Sequence, residues 1–148
     1  MKHILVVADM WEGQVRPVTR ELVSAAFYIR DTVGTSDGKP VIRLLVPSEA
    51  PATPAEDLAG QTGLDTLACQ WSCPVTPETL IAGLADILAE APTSLVLMAH
   101  TTLGRETAPR LAVRLGWDAV SGVTGICGYD TGLIFDRPVM DNTKIQSV

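Results

Sequence analysis

The sequence has no apolar stretch that approaches the about 18 residues needed for a membrane-spanning helix. Its first residues, Met1 to Ala8, run directly into a strand-like segment and carry no cleavage-site pattern of the kind found in secretory signal peptides. From these two absences we expect a cytoplasmic protein that does not associate with membranes.

Positive charge is also scarce in this chain. Lys and Arg number 11 against 17 Asp and Glu, which gives a net charge of −6 and a pI near 4.7. This balance provides no broad basic surface that could bind a phosphate backbone. We therefore expect no nucleic-acid partner.

Cysteine is limited to three residues, Cys69, Cys73 and Cys127. Their spacings match neither a zinc ribbon nor a thioredoxin-like pair, and a Cys-x-x-x-Cys in one loop is a weak indication of redox chemistry. We expect structural or incidental thiols and no metal site.

Recognisable catalytic and nucleotide motifs are missing as well. The chain contains no Gly-x-Gly-x-x-Gly and no Gly-Lys-Ser/Thr sequence. No two of the candidate catalytic side chains have a spacing that demands a nucleophile and its base. These candidates are His3, Asp9, Cys69, Cys73, His100 and Ser121. We expect a protein that is not an enzyme.

The 148 residues, 47% of them hydrophobic, are enough for one domain with one core. The stretch Ser94 to Thr124 organises the chain, because the apolar run Leu95–Ala99 predicts a strand buried on both faces. A tight turn and a helix follow, Gly116 ends the helix, and Ala119–Thr124 predicts a second strand. The stretch therefore indicates a strand-helix-strand unit with a right-handed crossover.

Similar apolar runs predict three further strands, at His3–Ala8, Val41–Val46 and Leu64–Cys69. Helical periodicity predicts helices from Val18 to about Asp31, from Ala55 to Gln61 with Thr53 as the cap, and from a Thr76 cap to Pro92. The alternation predicts a three-layer α/β domain with a mostly parallel sheet in the order 3-2-1-4-5. Two strands, over residues 133–139 and 143–148, predict an antiparallel ribbon at the sheet edge.

Two motifs carry a family resemblance. Thr102-Leu-Gly-Arg-Glu-Thr-Ala-Pro-Arg-Leu-Ala-Val-Arg-Leu115, followed by Val120-Ser-Gly-Val-Thr-Gly125, resembles the N-terminal domain of the alpha subunit of electron-transfer flavoproteins. Thr19-Arg-Glu-Leu22 is similar to a helix of the same family. The resemblance implies a Rossmann-like fold of the adenine nucleotide hydrolase-like type, over residues 1–148 as one domain. It also implies an electron-transfer component rather than a catalyst.

In that family the FAD-binding domain is a separate, C-terminal unit. The resemblance therefore implies that this chain holds no FAD ligand and that the flavin domain is supplied in trans. It implies a structural and docking role with a beta-type subunit or, without one, self-association. The segment Arg137 to Lys144 departs from the family pattern because it is shorter and lacks a glycine, so we expect its final hairpin to differ.

The turn between Leu95–Ala99 and the following helix is the best candidate for an anion or nucleotide site. Free N–H groups at a helix start favour anions, and the carboxyl ends of parallel strands are where open α/β sheets bind ligands. The candidate residues are Asp9, Thr101, Thr102, Gly104 and Arg105. Two interpretations remain open: helix capping with interface packing, or a stand-alone module that binds an adenine nucleotide.

Overall fold

The computed structural model describes residues 2–33, 38–129, 132–139 and 144–147. Its strands are β1 (His3–Val7), β2 (Met10–Trp11), β3 (Gln14–Val15), β4 (Val41–Ser48), β5 (Asp65–Gln70), β6 (Leu95–Leu97), β7 (Gly125–Tyr129), β8 (Gly132–Val139) and β9 (Lys144–Ser147). Its helices are α1 (Val18–Thr32), α2 (Ala52–Thr62), α3 (Pro77–Glu90) and α4 (Thr102–Leu115).

A parallel sheet in the order β5-β4-β1-β6 forms the centre of the fold. Alternate residues of β1 enter two cores. Ile4 and Val6 pack with α1 and α2 on one face, while Leu5 and Val7 pack with α3 and α4 on the other. This arrangement confirms the predicted three-layer α/β architecture and the first four positions of the predicted order.

The helix ends largely follow their predicted signals. Thr76 caps α3 through a capping box with Thr79, and Pro77 occupies the first helical position. Gly116 ends α4 in the left-handed conformation, with φ of 68°. The predicted Thr53 cap is wrong, because α2 begins earlier, after Pro51, whose helical φ suits a helix start.

The predicted fifth strand, Ala119–Thr124, is wrong. This segment has no strand structure, most of its residues are exposed, and Gly122 has a φ of 67° that interrupts an extended backbone. Strand β6 is therefore an edge of the parallel sheet in the described part of the chain. Its three residues are only partly buried, so the prediction of a strand buried on both faces was also wrong.

The C-terminal ribbon is antiparallel as predicted, but it is larger and lies elsewhere. Strands β7, β8 and β9 form a three-stranded sheet, and β7 is a strand that the sequence did not predict. No pairing joins it to the parallel sheet among the described residues. It packs instead on α1, where a Cβ at Gly128 would lie 2.8 Å from the Thr32 side chain. The departure from the family pattern expected between Arg137 and Lys144 falls mainly on residues 140–143, which lie outside the described residues.

Candidate functional site

Asp9 lies two residues beyond the end of β1 and is the central side chain of the site. It is only 6% exposed. Its backbone N–H donates to the Thr19 hydroxyl at 3.0 Å, and its Oδ1 accepts a hydrogen bond of 2.9 Å from the Thr101 hydroxyl. Asp9 therefore joins the end of β1 to α1 and to the turn after β6.

The position of this contact is set by the strand order. From β1 the chain moves outward through β4 to β5, then returns to pair β6 with the opposite side of β1. The carboxyl ends of β1 and β6 therefore flank a topological switch point, the usual ligand crevice of open α/β sheets. Asp9 and Thr101 stand on its two sides.

Thr101 is both a bridge and a helix cap. Its Oγ1 donates to Asp9 and accepts from the Gly104 N–H at 3.5 Å, which satisfies one of the N–H groups at the start of α4. The turn is very tight, since a Cβ on Gly104 would lie 1.9 Å from the Ala99 carbonyl oxygen. These contacts close the crevice directly between the two strand ends.

Arg16 approaches the second oxygen of Asp9. Its Nε lies 3.4 Å from Asp9 Oδ2, close enough for an ion pair, although Oδ2 has no hydrogen bond from any described residue. The Arg16 N–H also donates to the Asp9 carbonyl at 2.8 Å. The hairpin of β2 and β3 is thereby held against Asp9. Its Trp11 is 64% exposed, with the Arg16 guanidinium 6.0 Å from the ring centre.

The five predicted anion-site residues do not all meet. Asp9, Thr101 and Gly104 come together, whereas the Thr102 and Arg105 side chains are exposed. Sequence reasoning missed Arg16 and Thr19. An arginine immediately before the proline at a helix start, in the loop that follows Asp9, was the available signal for Arg16.

Of the remaining candidates, His100 directly precedes Thr101 in the turn, and its side chain is exposed. His3 is at the opposite end of β1. Cys69 lies in β5, where partial burial raises the pKa of its thiol. Trp71 is partly buried, and its indole N–H donates to the Thr79 carbonyl at 3.2 Å. Within the described ranges, no group of three or more His, Cys, Asp or Glu side chains could hold a metal ion.

The helices in the described part of the chain are at most 15 residues long. None of them is both long enough and apolar enough to span a membrane.

Comparison with known proteins gives one clear finding. A family model described as the electron transfer flavoprotein domain matches residues 4–148. No curated protein sequence matches the chain. The matched range includes Asp9, the turn at Thr101 and all nine strands except the first residue of β1. This chain belongs to the electron transfer flavoprotein domain family.

Proposed function

We propose that the chain is the structural and docking domain of an electron transfer flavoprotein subunit of the alpha type. Proteins of this family are electron-transfer components rather than catalysts. The alpha-type motif from Thr102 to Leu115, followed by Val120 to Gly125, favours this subunit type over the beta type. The three cysteines are free thiols, and a reducing cytoplasm suits them.

The observation that carries the proposal is the closed switch-point crevice. The Thr101 hydroxyl donates a 2.9 Å hydrogen bond to the Asp9 carboxylate at the switch point, where open α/β sheets usually bind nucleotides. A ligand there would have to break a buried contact with a charged group, which costs about 1.5–3 kcal/mol. This supports a docking role over the alternative role as a module that binds an adenine nucleotide.

We also propose that this crevice holds no FAD. A dinucleotide needs close backbone approach at the strand-to-helix turn, and the turn before α4 has no Gly-x-Gly-x-x-Gly sequence to permit it. We therefore propose that the flavin is held by a domain outside residues 4–148. No step of the electron transfer is assigned to a side chain of this chain.

A docking domain needs an apolar contact surface. Val113 on α4 is 83% exposed. Trp117 and Val123, in the chain after that helix, are 37% and 36% exposed. We propose that a beta-type subunit covers these three residues. Aromatic residues are enriched at such contacts. A specific interface would bury about 1,200 Å² or more in total.

The test is sedimentation equilibrium of the chain alone and mixed with a candidate beta-type subunit. We expect a heavier species in the mixture, and an affinity that the Val113→Glu variant weakens about tenfold or more. Val41→Glu is the matched control, since Val41 is 48% exposed at the start of β4, away from α4. A clean 15.7 kDa species in both runs would defeat the proposal.

A second experiment tests the alternative function, binding of an adenine nucleotide. Equilibrium dialysis of the chain against AMP measures binding directly. AMP binding that Thr101→Val alters would favour the alternative, because Thr101 stands at the switch point.

A further inference from the structure

A second concave region lies beside the Asp9 site, on the other side of Arg16. It is a cleft of about 130 Å³ between the β2–β3 hairpin, the start of α1 and α2. A single water molecule needs about 10–15 Å³ of such space, so the cleft has room for a small ion. Its polar lining includes Gln14, Arg16, Arg20, Asp57 and Gln61. We call it the Arg16–Arg20 cleft.

The two arginines keep most of their donors available. Arg16 directs Nε toward the buried Asp9 carboxylate, which leaves its two terminal nitrogens for another partner. Arg20 uses one terminal nitrogen in a 3.3 Å bond to the Gln61 side chain. Within the described ranges, Arg20 has no carboxylate within 4.0 Å and Arg16 has only Asp9.

Arginine donors and a helix start line the cleft. The guanidinium groups of Arg16 and Arg20 line it with the carboxylate of Asp57, and Asp9 pairs with Arg16 from outside the lining, so the four formal charges balance. The cleft also meets the first turn of the 15-residue helix α1, whose N-cap, Pro17, provides no side-chain hydrogen bond. The partial positive charge at that helix end acts in the same direction as the arginines.

The local contacts also pre-organise the cleft. Asp9 is buried and bonded to Thr101 and Thr19, so the carboxylate that orients Arg16 is itself fixed. A planar guanidinium presents its terminal N–H groups in one plane, the geometry that binds phosphate oxygens in pairs.

We propose that the Arg16–Arg20 cleft binds a compact oxyanion of the phosphate class. Its volume lies below the about 300–1,000 Å³ of pockets that enclose drug-sized ligands. The cleft therefore accommodates a phosphate group and not a whole nucleotide. The group is either free inorganic phosphate or the terminal phosphate of a small metabolite whose remainder stays in solvent. This site is independent of the proposed docking role.

The test is isothermal titration of the full chain with inorganic phosphate, at constant ionic strength set with sodium chloride. We expect saturable binding that Arg20→Gln weakens about tenfold. Arg114→Gln removes an equally exposed positive charge from the last turn of α4 and should leave the affinity within twofold. Arg105→Gln tests whether the phosphate binds instead at the turn before α4. Circular dichroism of each variant verifies that it is folded.

Loss of binding in Arg105→Gln but not in Arg20→Gln would move the anion to the α4 turn and overturn the proposal. So would equal affinities of Arg20→Gln and Arg114→Gln, or the absence of phosphate binding above the chloride background. A parallel titration with AMP separates the two sources. Tighter binding of AMP that keeps its dependence on Arg20 indicates a metabolite phosphate, whereas equal or weaker binding indicates the free ion.

Discussion

The Thr101 hydroxyl donates a hydrogen bond of 2.9 Å to the Asp9 carboxylate, across 92 positions of sequence. The contact links the carboxyl ends of two adjacent parallel strands, β1 and β6. Because Thr101 also caps α4, one hydroxyl fixes the first strand, the edge strand and the start of a helix relative to one another.

Replacement of Thr101 by valine should therefore destabilise the fold. The change removes a cap worth about 1 kcal/mol and a hydrogen bond to a buried carboxylate worth about 1.5–3 kcal/mol. We expect a loss of about 2–4 kcal/mol in the free energy of unfolding, measured by urea denaturation. Thr101→Ser keeps the hydroxyl and should lose less than about 1 kcal/mol. Equal losses for the two variants would contradict the role assigned to the hydroxyl.

Alanine at Gly104 should be strongly unfavourable. Its Cβ would lie 1.9 Å from the Ala99 carbonyl oxygen, so the turn or the helix must shift, and such overpacking costs about 1–3 kcal/mol or more. Gly60→Ala in α2 is the matched control, because nothing lies within 4 Å of its added Cβ. That variant should gain up to about 1 kcal/mol from helix propensity. Thermal melts of the two variants should move in opposite directions, and a stabilised Gly104→Ala would contradict the tight turn.

Glu78 should make stability depend on pH. Its own backbone N–H, at the start of α3, and then the Arg110 guanidinium 3.0 Å away hold the pKa of this carboxyl below its ordinary value of 4.5. The unfolded chain therefore binds the proton more readily, so the contribution is present above that value and is lost as pH falls through the lower folded pKa.

The measurement is the urea midpoint of Glu78→Gln and of the unmodified protein across acidic and neutral pH. Since Glu78 is exposed, we expect a small deficit in the variant at neutral pH that disappears in acid. Glu56→Gln, at an exposed position on α2, is the matched control for the removal of one carboxylate. A loss of stability in Glu78→Gln, relative to the unmodified protein, that grows as the pH falls would contradict this expectation.

The cysteines should differ in reactivity. Burial raises the pKa of Cys69 in β5, which lowers its thiolate fraction, whereas Cys73 is exposed. We expect iodoacetamide to modify Cys73 severalfold faster than Cys69 in the folded protein, as followed by peptide mass spectrometry. In denaturant the two rates should converge. Faster modification of Cys69 in the folded chain would contradict its described environment.

The sequence was sufficient to predict the central strands and the ends of α3 and α4, because these depend on local apolar runs and on local capping chemistry. The error at Ala119–Thr124 has a physical origin. The segment is apolar enough for a strand, but Gly122 takes a left-handed φ there, which a pattern of apolar residues does not reveal.

Part of the candidate site could be predicted, because it follows from a general rule of parallel sheets. The carboxyl ends of parallel strands meet at one edge of the sheet, and this rule predicts that Asp9 and Thr101 lie close together. Arg16 and Thr19 reach Asp9 through a hairpin whose two strands have only two residues each, too short to give a periodic signal. The role of Gly104 as a point of close backbone contact likewise depends on tertiary geometry.

The central place of β1 affects the order in which the nascent chain can mature. Ile4 pairs with Ile42 on one side and with Leu95 on the other. Strand β1 precedes both of these partners in the sequence, so it waits for its second neighbour until β6 has left the ribosome. During that interval one of its hydrogen-bonding edges is unpaired and its apolar side chains are incompletely covered. Premature termination within α3 would leave such a chain prone to aggregation, and a chaperone that shields β1 would have its greatest effect in this window.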